Sequence, residues 1–217
     1  MRNMSYPAYS KSERIADGVV HVMGIMAAVA GIVVLFALVH DRMEWGLFTA
    51  LTVYSAALLL MLGASAAYHI LADTRARPVL RRLDHAAIYV KIAGTFTPLA
   101  VFLGTAFGYF LLLLVWGLAL LGARTKLRMQ RGKMTTGYMP YLALGWLGIA
   151  LFVPLAALLP GLSLKLILVG GLLYTIGIVF YAWESLRYAN AIWHGFVLIA
   201  SGCFFVGIGH AVAAAGG

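Results

Sequence analysis

Long apolar runs alternate along the chain with short polar, mostly basic stretches. Seven runs are long enough for membrane helices, at about residues 18–40, 47–71, 84–104, 107–123, 138–159, 163–185 and 191–214. A bilayer core of about 30 Å takes about 20 apolar residues at 1.5 Å of rise each. Backbone N–H and C=O groups in lipid need partners within the protein, so the runs read as α-helices rather than open strands. The pattern predicts an all-α integral membrane protein. Residues 18–214 form a seven-helix bundle, and residues 1–17 form a short cytoplasmic segment before it. Pro98 and Pro154 fall inside runs, where neighbouring helices accommodate them. Pairs such as Gly170-Gly171 suit close helix packing.

Composition agrees. The 217 residues are 63% hydrophobic and 11% charged, against about 25% charged in soluble domains. The single Cys203 excludes an intramolecular disulfide. The first run is too long for the apolar core of a cleaved signal peptide and reads as a retained span. The excess of basic residues acts as a topology signal. Arg2, Lys11, Arg14, Arg75, Arg77, Arg81, Arg82, Arg124, Lys126, Arg128, Arg131, Lys133 and Arg187 all fall on one side of the predicted spans. Arg42 and Lys165 fall on the other, and Lys91 lies inside a span. Lys and Arg favour cytoplasmic loops, so the N-terminus is expected inside and the C-terminus outside. The basic loops then serve membrane sorting, and no nucleic-acid partner is expected.

With that topology the polar residues form a layer. His21 near the start of span one, His69 at the end of span two, Asp84 and His85 at the start of span three, and His194 at the start of span seven share the cytoplasmic level. His40 and His210 lie at the other side. Ser65 precedes His69 by four residues, and Asn190 precedes His194 by four, so each pair shares a helix face. Imidazoles suit zinc, and a carboxylate serves as ligand, base or orienting partner. The simpler alternatives are interfacial histidines and an Asp84 that caps span three. Lys91 lies two turns beyond Asp84 on nearly the same face. Two readings are open for it: a charge that replaces a lost metal, or the lining of a small wet cavity. Glu184 either joins the layer or pairs with Arg187.

The stretches "YSKSERIADGVVHVMG", "SAAYH", "RRLDHAAIYVKIAGTFTP" and "AIWHGFVLIASG" resemble, in order and over nearly the whole chain, the bacterial hemolysin III family. That family is similar to the adiponectin and progestin receptors and, more distantly, to the alkaline ceramidases. The resemblance implies a multi-pass protein of the bacterial cytoplasmic membrane. It also implies zinc held by three histidines and ceramidase-like hydrolysis of a lipid amide. Carried over by position, His69 and His194 are metal ligands, and Ser65 and Asp84 are catalytic. The remaining histidine position of the pattern is occupied here by Asn190. An amide is a weak zinc ligand. The third ligand is therefore left open between Asp84, His85 and His21, as is loss of the metal altogether.

Two classes of function follow. One is a zinc-assisted hydrolase acting on a membrane lipid, and a lipid-sized cavity between the helices would favour it. The other is a non-enzymatic membrane sensor or cytolytic protein whose polar layer is structural, and a closed bundle would favour it. The oligomeric state is not legible in the sequence.

Overall fold

The computed structural model describes residues 9–39, 43–129, 137–183 and 185–215. His40, Arg42, Arg131, Lys133 and Glu184 lie outside the described residues. Eight helices follow one another: α1 (Lys11–Val39), α2 (Trp45–Ile70), α3 (Arg77–Leu103), α4 (Ala106–Arg128), α5 (Met139–Trp146), α6 (Ile149–Ala156), α7 (Gly161–Ala182) and α8 (Ala189–Ala215). The pair α5–α6 makes one span, so seven spans are long and apolar enough to cross a membrane.

Several helices begin before their apolar run, for local reasons. α1 starts at Lys11 because Ser10 and Glu13 form a reciprocal cap. The Ser10 N–H and Oγ–H both donate to Glu13 Oε2, at 2.9 and 2.7 Å, and the Glu13 N–H returns to Ser10 Oγ at 3.3 Å. The polar turn holding Asp17 is thereby continuous with the membrane helix that carries His21. α3 opens at Arg77 with Pro78 in its first turn, seven residues before Asp84. It ends at Gly104, whose left-handed φ of 64° glycine adopts without strain. The Thr105 hydroxyl then caps α4 by accepting from the Gly108 N–H at 3.2 Å.

The predicted fifth span is divided. Turn-type bonds from Gly148 N–H to Gly145 C=O (3.0 Å) and from Ala150 N–H to Leu147 C=O (3.1 Å) interrupt it. The two pieces and the turn between them cover 18 residues, about 27 Å at 1.5 Å per residue, close to the thickness of the bilayer core.

α3 is the central element. It packs most extensively on α2 and α4 and also meets α5, α6 and α8. α1 closes against α2 and α8, and α7 against α8, while α5 and α6 touch α7 only slightly. Leu51, Tyr54, Ala93, Val115, Ala119, Leu151 and Ile208 fill the main core. Leu113, Val153, Met26 and Leu38 are among the large apolar side chains left exposed on the outside, as expected for a surface facing lipid. At the end carrying Lys11, Arg14 bonds Asp73 in the α2–α3 loop at 2.6 Å. The guanidinium holds that carboxyl below the ordinary aspartate range.

The α2–α3 contact depends on Gly94. A Cβ there would sit 2.5 Å from Ala57 Cβ, which has no flexible end to move aside. Gly94→Ala is expected to destabilise the protein by about 1–3 kcal/mol through overpacking, read as a lower melting temperature in detergent. Gly117→Ala, where nothing lies within 4 Å, is expected to cause no loss. Equal melting of the two variants would show that α2 and α3 do not approach this closely.

Candidate metal centre

Three helices converge on the side chains of Asp17 and His21 (α1), His69 (α2) and His194 (α8). Each offers a ligand atom, and these atoms lie within 4.8 Å of one another. The Asp17 carboxylate joins the helices: Oδ1 lies 2.6 Å from His194 Nδ1 and Oδ2 lies 2.9 Å from His69 Nδ1. An ionised carboxylate only accepts hydrogen bonds, so each Nδ1 carries the proton and donates. That tautomer leaves both Nε2 lone pairs free for a metal. His21, one turn after Asp17, lies 3.8 Å from the same Oδ1 through Nε2, too far for a hydrogen bond. Its Nε2 is buried with no hydrogen-bond partner. The three rings are in mutual contact, with centroids 4.4 Å apart for His21–His194, 4.5 Å for His69–His194 and 5.3 Å for His21–His69.

A buried, unpartnered imidazole nitrogen beside two others and a carboxylate fits a divalent metal. Buried polar atoms are otherwise almost always satisfied, and three imidazole nitrogens oriented by a carboxylate suit metals that favour imidazole.

Glu13 makes a second tie between α1 and α8. Its Oε1 accepts the Tyr188 N–H at 3.0 Å. Tyr188 has a φ of 62°, the left-handed region that a tyrosine rarely enters. The tie holds this strained residue at the turn into α8 and so sets His194, six residues on, against Asp17.

Of the residues singled out in the sequence, His69 and His194 belong to this group. Ser65 is buried on α2 and lines a small recess together with His21 and His194. Asp84 is buried on α3, with Oδ2 3.4 Å from His85 Nδ1. His85 is engaged elsewhere, its Nδ1 lying 2.8 Å from the Arg81 carbonyl. Asn190 lines the main cavity in the first turn of α8. His21, one of the open candidates for a third ligand, is in the group. Asp17 was not foreseen. Its signal was the Asp-x-x-x-His spacing to His21, within a stretch that the hydropathy pattern assigned to a polar tail.

Through Asp17, His69 and His194 the group opens into a cavity of about 1090 Å³, just above the roughly 300–1,000 Å³ usual for ligand pockets. Asp17, Ser65, His69, Asp84, Asn190 and His194 line its polar end. Its far end runs between α3, α5–α6 and α7 and is apolar, with Leu99, Leu151, Leu155, Leu164 and Ile167 among its walls. The bundle is thus not closed.

The profile of the family described as "Haemolysin-III related" matches residues 9–205. The chain belongs to the haemolysin-III family. It is 34% identical over 199 residues to the hemolysin-3 homolog of Bacillus subtilis (strain 168), covering 91% of this chain and 93% of that one. It is also 34% identical over 194 residues to the hemolysin-3 of Bacillus cereus, covering 89% of each. The matched family region contains all four residues of the Asp17–His21–His69–His194 group.

The Asp17 carboxylate sets the tautomer of His69 and His194. Asp17→Asn is therefore expected to weaken metal binding by about 10–100-fold, measured by titration against a competing chelator. An unchanged affinity would mean that the carboxylate orients neither histidine.

Proposed function

We propose that this protein is a zinc-dependent hydrolase of an amide bond in a membrane lipid, set in the bacterial cytoplasmic membrane with its N-terminus inside. The carrying observation is the joining of the Asp17–His21–His69–His194 group to an apolar-walled cavity of about 1090 Å³. His21, His69 and His194 would hold zinc, with His21 taking the place that Asn190 leaves open, and Asp17 would orient the ligands. Bound zinc supplies Lewis acidity, which polarises a carbonyl and eases deprotonation of water at neutral pH. The roles of the other residues follow from their chemistry. The apolar end of the cavity takes the acyl chain and excludes water. Ser65 donates a hydrogen bond to the amide carbonyl oxygen. Asp84 accepts a proton from the attacking water and passes it to the amine as the C–N bond breaks.

A second, non-enzymatic reading is favoured by the name of the Bacillus cereus relative, hemolysin-3. In it the polar layer holds α1, α2 and α8 together, and the protein senses or perturbs a membrane.

The test joins metal content to turnover in lipid nanodiscs. About one zinc per chain is expected in the parent, with loss in His21→Ala, His69→Ala and His194→Ala and retention in Asn190→Asp. Release of fatty acid from an N-acyl amino alcohol is expected in the parent and at least about 100-fold less in Ser65→Ala and Asp84→Asn, which still bind zinc. A zinc-loaded parent that releases no acid from a panel of lipid amides would favour the non-enzymatic reading. A parent without zinc would defeat the hydrolase reading outright.

A further inference from the structure

Lys91 lies on α3, two turns beyond Asp84 and about 10 Å deeper along the helix axis. It is 5% exposed and lines the cavity. Its Nζ donates to Tyr174 Oη at 2.6 Å, and Tyr174 Oη is also 2.6 Å from Ser201 Oγ, which fixes the phenol from behind. The ammonium lies 4.3 Å from the centroid of the Tyr174 ring and 5.1 Å from that of Phe204. Aromatic faces attract a cation but do not neutralise it. Among the described residues Lys91 forms no ion pair, and its ammonium donates to Tyr174 rather than reaching towards Asp84. A lone cation at membrane depth is costly, and such groups ordinarily pair.

The surroundings limit what can supply the missing charge. One ammonium and one phenol match a monoanion with two acceptor oxygens. A phosphate monoester, with more charge and more acceptors, would remain unsatisfied. Beyond Lys91 the cavity is lined by Phe96, Leu99, Leu151, Leu155 and Leu164. α3 supplies about 12 Å of this wall, from Lys91 to Leu99, and α6 and α7 supply the rest. The occupant is therefore charged at one end and apolar along its length.

We propose that Lys91 and Tyr174 form a carboxylate-binding subsite for a long-chain fatty acid, with the acyl tail running into the apolar end of the cavity. Lys91 and the His69–His194 level stand at different depths, so the subsite is separate from the metal centre and does not rest on the hydrolase reading.

The test is binding of radiolabelled palmitate to the full chain in nanodiscs, with competitors. Unlabelled palmitate is expected to displace the label from the parent, whereas hexadecanol, of equal length and without charge, is expected to be at least tenfold weaker. Lys91→Met is expected to lose at least tenfold in affinity, and Lys91→Arg to keep most of it. Palmitate is expected to raise the melting temperature of the parent and not that of Lys91→Met. Should Lys91→Met fail to fold, the comparison of palmitate with hexadecanol on the parent still decides. Equal binding of acid and alcohol, or no binding by the parent, overturns the subsite. Binding that survives in Lys91→Met but disappears on metal removal places the carboxylate at the histidines and overturns it equally.

Discussion

The carboxylate of Asp17 touches two helices other than its own. Through Oδ1 it holds His194 of α8, and through Oδ2 it holds His69 of α2. Its own helix contributes His21 one turn away. Helices in lipid gain little from apolar contact with one another, so close packing and polar contacts between them carry a larger share of specificity. A buried carboxylate with two imidazole donors is such a contact. It costs desolvation and returns it as charge-assisted hydrogen bonds. The register of α1 against α2 and α8 follows from it, and so does the convergence of three imidazoles.

The supports of that carboxylate lie outside the apolar region. Ser10 and Glu13 extend α1 backwards into a polar turn, and Glu13 then reaches the backbone of Tyr188. One glutamate therefore starts one helix and secures the strained entry to another. Arg14 and Asp73 add a tie to the α2–α3 loop, but both side chains are largely exposed, so solvent leaves that pair little weight. The ordering of α1 against α8 is the part on which the position of His194 depends.

Much of this was legible in the sequence, and the exceptions have physical causes. The seven spans were readable because about 20 consecutive apolar residues have few alternatives in lipid. The shared level of His69, Asp84 and His194 followed from their places at span ends. The identity of the third group beside His69 and His194 was not readable. Asp84, His85 and His21 share their level, and depth alone does not say which way a side chain points. Asp17 was hidden for another reason. Hydropathy marks where lipid begins, whereas a capping box marks where the helix begins, and on α1 the two differ by seven residues. The break in span five was equally silent, because Leu147 and Gly148 are apolar and suit a continuous helix on hydropathy grounds. What interrupts it is the backbone bonding at Gly145 to Ala150.

That interrupted span is also one wall of the cavity. Its two short helices lack a continuous ladder of hydrogen bonds, and they meet α7 only slightly. Native-state opening in proteins is uneven, and segments with few packed neighbours open at the lowest free energy. The amides of residues 139–156 are thus placed to exchange with solvent hydrogen well before those of α3, which is packed on several sides. A molecule lodged in the cavity would lean on this wall more than on any other, and its presence would be registered as slower exchange there rather than at the histidines. The thin wall lets one tightly bonded set of buried histidines and aspartate coexist with a chamber whose width adjusts to its contents.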